Sequence, residues 1–202
     1  MNCSFGSRAS SCNILFTGEN YLSNGNMEVS FENSFNFNGY VQLPSQLARC
    51  VLIFSRCTSF NQPITIPNSV TDCKGLFVRC TSFNQPVTIP DSVCNCQSMF
   101  SGSTSFNQPV TIPNSVTICT AMFGGTSLNH PITIPDGVTK CDGMFIDCAY
   151  FNQPITIPNS VTNCKDMFKD CPNQNSSIYV PQHLNGQVSG WSSSAKSAIV
   201  WY

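Results

Sequence analysis

FNQPITIPNSVTDCKGLFVRC, running from Phe60 to Cys80, decides the fold, because the chain writes it again and again. FNQPVTIPDSV returns at Phe83, FNQPVTIPNSV at Phe106, LNHPITIPDGV at Leu128 and FNQPITIPNSV at Phe151, at spacings of 23, 23, 22 and 23 residues. FNGYVQLPSQLARC at Phe37 aligns with FNQPITIPNSVTDC, another 23 residues upstream. A fixed period of about 20–50 residues marks an array of coils, each of which needs its neighbours to bury its apolar face.

Within one coil, Ile64 and Ile66 share a face and Thr65 takes the other, the period-two pattern of a strand. Pro63 and Pro67 hold the residues before them extended and confine the strand to a few positions. Asn68 and Ser69 begin a turn and suit the cap of a following helix. Val70, Cys73, Leu76 and Phe77 then fall at offsets that suit one face of a short helix or helical turn. Asn61, Asn84, Asn107, Asn129 and Asn152 recur at one position, which predicts a ladder of side-chain amides satisfying the turns.

The cysteines obey the repeat. Cys50, Cys73, Cys96, Cys119, Cys141 and Cys164 hold one phase, and Cys57, Cys80, Cys148 and Cys171 hold another seven residues later. Ser103 replaces Cys in the second phase, and the shortened coil after it has Gly125-Thr126 nearby. A site that accepts Ser is a small core position rather than half of an obligatory bridge, so reduced, stacked thiols are expected.

Residues 1–36 match the repeat poorly and are read as an N-terminal cap, residues 37–181 as the repeat, and residues 182–202 as a C-terminal cap. Cys12-Asn13-Ile14-Leu15-Phe16 echoes Cys50-Val51-Leu52-Ile53-Phe54, and Val29, Phe31, Phe35 and Phe37 suggest a strand. Ile178-Tyr179-Val180-Pro181 repeats the strand pattern. Leu184, Val188, Trp191, Ala195, Ala198 and Ile199 then give the last segment a helical apolar side, weakened by Gly186 and Gly190.

Charged residues make up only 9% of the chain and the net charge is −1, so there is no electrostatic footprint for nucleic acid. No apolar run reaches the roughly 18 residues of a membrane span. The first residues, MNCSFGSRASSCN, lack the basic start and apolar run of a signal peptide, from which folding in a reducing cytoplasm is expected. The two histidines do not assemble a catalytic set: His130 stands at the Gln position of its coil and His183 in the C-terminal cap. Cys94-Asn95-Cys96 lacks the further ligands of a metal site. Asp142, Asp147, Asp166 and Asp170 could offer oxygens to a cation, but Lys140, Lys165 and Lys169 lie among them as on an ordinary solvated face. No cofactor, metal or catalytic residue is therefore expected.

The outward strand position reads Gln42, Thr65, Thr88, Thr111, Thr133, Thr156, Tyr179. Two explanations stand side by side: threonine suits an exposed strand position, and a flat, uncharged row suits a binding strip; a third, an ice-binding face, needs regular ranks of hydroxyls, against which one Thr per coil counts.

Ile155 to Cys171, ITIPNSVTNCKDMFKDC, resembles the BspA-like leucine-rich repeats, with their ITIPxSV strands followed by an FxxC segment. The resemblance runs from about Phe37 to Pro181. It implies an α/β fold: a right-handed solenoid with a parallel sheet on one side and short helices or helical turns on the other, capped at both ends. It supplies no catalytic motif. Relatives of this type look like surface adhesion or binding proteins, and similar arrays occur in phage structural proteins. The expectation is a non-enzymatic structural and binding protein on a phage virion surface. Its partners would be other virion or surface proteins, a host receptor or a glycan, and its oligomeric state is open. The alternatives are a bacterial surface adhesin module and a cytoplasmic interaction scaffold.

Overall fold

A computed structural model describes residues 29–202, together with residues 3–4 and 14–15 as short strands. Hydrogen bonds run from coil to coil at the repeat spacing. In the Phe60 coil, the N–H groups of Cys73, Gly75, Phe77 and Arg79 donate to the carbonyls of Asn95, Gln97, Met99 and Ser101 at 2.7–2.9 Å. The intervening N–H groups turn inward, with Leu76, Val78 and Cys80 donating to Cys73, Gly75 and Phe77. Alternate peptides therefore either close a tight turn or join the next coil.

This arrangement corrects the helical expectation for Ser69–Phe77. Gly75 and Arg79 have φ near +60° and +58°, which an α-helix excludes. Positive φ recurs in two columns, through Leu52, Gly75, Ser98, Ala121, Gly143 and Asp166, and through Arg56, Arg79, Gly102, Gly125, Asp147 and Asp170. Nor does Ser69 cap a helix: its hydroxyl donates to the Leu47 carbonyl of the preceding coil at 2.8 Å, as Ser92 does to Val70 and Ser115 to Val93.

The sheet also differs from expectation. A continuous series of single parallel bridges passes through Arg49, Asp72, Asn95, Ile118, Lys140 and Asn163, beside the core cysteines. The Ile64-Thr65-Ile66 positions keep the alternation of buried and exposed residues, but they form strands only near the ends of the stack. There β2 (Ile14–Leu15) pairs with β4 (Val41–Gln42). β5 (Ile155–Thr156) pairs with β6 (Ile178–Val180), and β6 with β7 (Ile199–Trp201), all in parallel. The prolines explain the gap. Tyr40 precedes β4 and Ser177 precedes β6 at the position held by Pro63, Pro86, Pro109, Pro131 and Pro154 elsewhere. Proline has no N–H to donate, so a three-residue segment with proline at both ends has fewer donors with which to join a neighbouring strand.

Two columns of phenylalanine form the core. One passes through Phe31, Phe54, Phe77, Phe100, Phe123, Phe145 and Phe168 at 5.3–5.8 Å between successive ring centres. The other passes through Phe37, Phe60, Phe83 and Phe106, is interrupted by Leu128 and resumes at Phe151. Within a coil the columns touch, as Phe77 and Phe83 do at 4.1 Å. Trp191 closes the first column, packing edge-on against Phe168 at 4.9 Å.

Eleven cysteines among the described residues are free, and all but Cys94 are buried. Those of the second phase also form hydrogen bonds. The thiols of Cys57, Cys80, Cys148 and Cys171 donate to the carbonyls of Phe31, Phe54, Phe123 and Phe145 at 2.7–3.0 Å. Ser103 makes the same bond to Phe77 at 2.6 Å, and Thr126 fills the place in the shortened coil, donating to Phe123. Cys119, in the first phase, sits in apolar surroundings at 0% exposure. Cys119→Ser should therefore cost about 1–3 kcal/mol, the penalty for burying an unmatched hydroxyl. Cys57→Ser should cost less, because its hydroxyl inherits the bond to Phe31. Urea unfolding midpoints of the two variants check the order.

At the N-terminal side, Phe31 donates its N–H to Ile53 and Asn33 to Ser55, so stacking begins upstream of residue 37. β1 (Cys3–Ser4) pairs with β3 (Val29–Ser30). Val29 starts a strand as expected, but Phe35 faces solvent while Phe31 and Phe37 are buried. Ile14–Leu15 pairs with Val41–Gln42 rather than with the Cys50 stretch that its sequence echoes. The other residues before Val29, Cys12 among them, lie outside the described residues.

The last segment is only partly helical. A 3-10 helix spans Gln182–Gly190 and a single helical turn, α1, spans Ser193–Ser197, before β7 adds a strand. Ile199 is thus a strand residue and not part of a helix. This segment gives the last coil the bonds another coil would supply. Gln187 accepts from the Cys164 N–H and donates to the Thr162 carbonyl, both at 2.8 Å. The Trp191 indole donates to Cys164 and the Ser192 N–H to Phe168. Gly190 lies so close to Asp166 that a Cβ there would overlap its carboxylate.

Candidate functional site

Thr65, Thr88, Thr111, Thr133, Thr156 and Tyr179 are all exposed, each between two buried aliphatic residues. Gln42 is exposed at the head of the row. The flanking Ile, Val and Leu side chains anchor each segment in the core, so the hydroxyls project outward coil after coil. The row continues beyond the reach of the sequence pattern: β7 places Val200 beside Tyr179, and Val200 is 43% exposed. The β-branched run Ile199-Val200 followed by Trp201 is the available signal for a strand; the helical spacing of Leu184, Val188, Ala195 and Ala198 masks it.

One edge of the row is made rigid by the expected asparagine ladder. The N–H of Asn61 donates to Asn38 Oδ1, Asn84 to Asn61, Asn107 to Asn84, Asn129 to Asn107, Asn152 to Asn129 and Asn175 to Asn152, all at 2.8–3.0 Å. Gln62, Gln85, Gln108 and Gln153 add a second donor to the same oxygens. Every one of these carboxamide oxygens is thus used internally, which gives the ladder a structural role.

Near the C-terminal end, the row opens into a cleft of about 640 Å³. Thr133, Thr156 and Tyr179 line it with Asp136, Asn159 and Tyr202. The Tyr202 hydroxyl donates to the Ile157 carbonyl at 2.6 Å, which pins the ring as a wall over the strand face. Tyr202 is not part of the row that the sequence pattern predicts; backbone bonds to Val180 and Gln182 and the hydroxyl bond to Ile157 bring it there.

The other candidates are dispersed. His183 Nε2 lies 2.8 Å from the Val161 carbonyl, fastening the cap, and His130 is half-buried in the Gln position of another coil. Cys94 is exposed at a position held by Thr in every later coil and in the one before it, and it bonds to Thr71, whereas Cys96 is fully buried, so the two do not converge. Asp147, Asp166 and Asp170 occupy positive-φ positions, where Asp is tolerated better than most residues. Among the described residues no group of three metal-ligating side chains comes together. Burial pushes the thiols of Cys50, Cys57 and Cys119 from the ordinary 9.0 up to about 12. They are thus protonated, and weakly nucleophilic, at neutral pH.

The family model described as "Mycoplasma protein of unknown function, DUF285" matches residues 19–111 and again residues 90–182. No curated protein matches the chain. The crystal structure of a leucine-rich repeat protein from Bacteroides ovatus aligns over 100% of this chain and 83% of its own at 13% identity, with a TM-score of 0.29, too low to argue from.

Proposed function

The chain belongs to the family described as Mycoplasma protein of unknown function, DUF285, and we propose that within it the chain is a non-enzymatic binding protein that docks a partner on its threonine row. The carrying observation is that seven successive positions, Gln42 through Tyr179, hold an uncharged side chain outward at one phase, each between two buried aliphatic residues, beside an asparagine ladder whose oxygens are used inside the stack. The buried, protonated thiols and the separated histidines favour binding over catalysis. We extend the proposal to a continuous right-handed solenoid of the BspA-like leucine-rich-repeat type, presented at a cell surface to a receptor, glycan or neighbouring surface protein. Nothing in the fold or the family match favours a virion over a cell surface.

Thr111 stands in the middle of the row, where interface substitutions usually cost most. Thr111→Lys places a strongly hydrated charge in the strip without touching the core. It should leave the unfolding midpoint unchanged and reduce attachment of the chain to cells about tenfold or more. Unchanged attachment would leave the row as ordinary strand preference.

A further inference from the structure

We propose that the cleft at the end of the row is a binding site for a neutral oligosaccharide. This rests on the binding-face reading above and narrows it to one ligand class at one place. Its volume, about 640 Å³, is that of a small-molecule site, and its walls combine two kinds of chemistry. Tyr179 and Tyr202 are 41% and 47% exposed and present apolar ring surface, with Tyr202 held in place by its bond to Ile157. Such rings are rigid and large, and they cost little conformational entropy on binding.

The same cleft is lined by groups suited to hydroxyl recognition. Thr133 and Thr156 are exposed and line the cleft, and their hydroxyls are not used within the fold. Asn159 can both donate and accept, and the Asp136 carboxylate, also exposed and free of any cation within 4 Å, accepts. No lysine or arginine lines the cleft. A phosphorylated, sulfated or sialylated ligand would therefore meet Asp136 and no compensating charge, whereas a neutral sugar meets donors and acceptors along with ring faces. An extended peptide that binds by adding a strand uses main-chain groups at a sheet edge; this cleft lies on a face and offers side chains.

The experiment screens the full chain on a panel of neutral and sialylated oligosaccharides and on a proline-rich peptide, with calorimetry on the best neutral trisaccharide. Binding should be confined to neutral glycans. Tyr202→Ala and Thr156→Lys should each weaken it about tenfold or more, Tyr202→Phe should weaken it less, and Ala149→Lys, exposed and off the row, should leave it unchanged. Unfolding midpoints of Thr156→Lys and Ala149→Lys should match the parent, which separates lost binding from lost fold. Failure of every neutral glycan to bind, preference for a sialylated glycan or the peptide, or full binding by Thr156→Lys would overturn the assignment. If Thr111→Lys still abolishes cell attachment in that case, the binding face stands and only its ligand class is wrong. If Thr111→Lys has no effect, the wider function has failed on its own.

Discussion

Replacing Phe100 with alanine is expected to lower the unfolding free energy by about 3–5 kcal/mol. Phe100 is fully buried, stacked between Phe77 at 5.6 Å and Phe123 at 5.8 Å, and against Phe106 at 4.1 Å in its own coil. The vacancy cannot close by sliding the coils together. Backbone bonds on both sides fix their spacing: Phe77 N–H to Met99 and Phe100 N–H to Met122, each 2.9 Å. The cost thus includes both the lost transfer energy and a persistent cavity. Phe106→Leu offers the contrast. Leu128 already occupies that column two coils from Phe83, fully buried, so this change should cost below about 1.5 kcal/mol. Urea titrations followed by tyrosine and tryptophan fluorescence measure both. Equal losses would mean that the columns are not the main support.

Removal of residues 182–202 should make the chain aggregate. The truncation uncovers Phe168, Cys164 and Cys171, and leaves the N–H of Cys164 and the carbonyls of Thr162, Cys164 and Phe168 without their partners in Gln187, Trp191 and Ser192. It also strips β7 from β6, opening a sheet edge beside Ile178 and Val180. Exposed core and free edge together are the usual template for association between chains. Size-exclusion chromatography with light scattering reads the result. A truncated chain that stays monomeric with the parent's stability would rule out the capping role.

Much of this fold is legible in the sequence because identical neighbours make identical contacts. The alternation at Ile64-Thr65-Ile66 correctly places Thr65 outside, and the recurrence of Asn61 correctly announces a ladder. The helix expected from Val70, Cys73, Leu76 and Phe77 does not form, because successive tight turns also place residues three and four apart on one side. Only the sign of φ separates the two. Gly75, Gly102, Gly125 and Gly143, together with Asp147, Asp166 and Asp170 at the equivalent places, are the available hint. The sheet is shorter than its pattern suggests, since prolines bound each short segment and remove N–H donors from the ladder. For the site, Thr133, Thr156 and Tyr179 can be placed on one face from their spacing. Tyr202 cannot, since its approach to Ile157 depends on how the final segment folds back.

A hydroxyl-radical footprint of the full chain, free and attached to cells, tests the binding face without any substitution. Tyrosine labels strongly, and the protein carries reporters on and off the row: Tyr179 lies on it at 41% exposure, whereas Tyr150, at 63%, lies outside it on the approach to Phe151. A partner seated on the threonine row should protect Tyr179 and leave labelling of Tyr150 unchanged. Protection of Tyr150 with Tyr179 still fully labelled would place the partner elsewhere and refute the threonine row as the docking face.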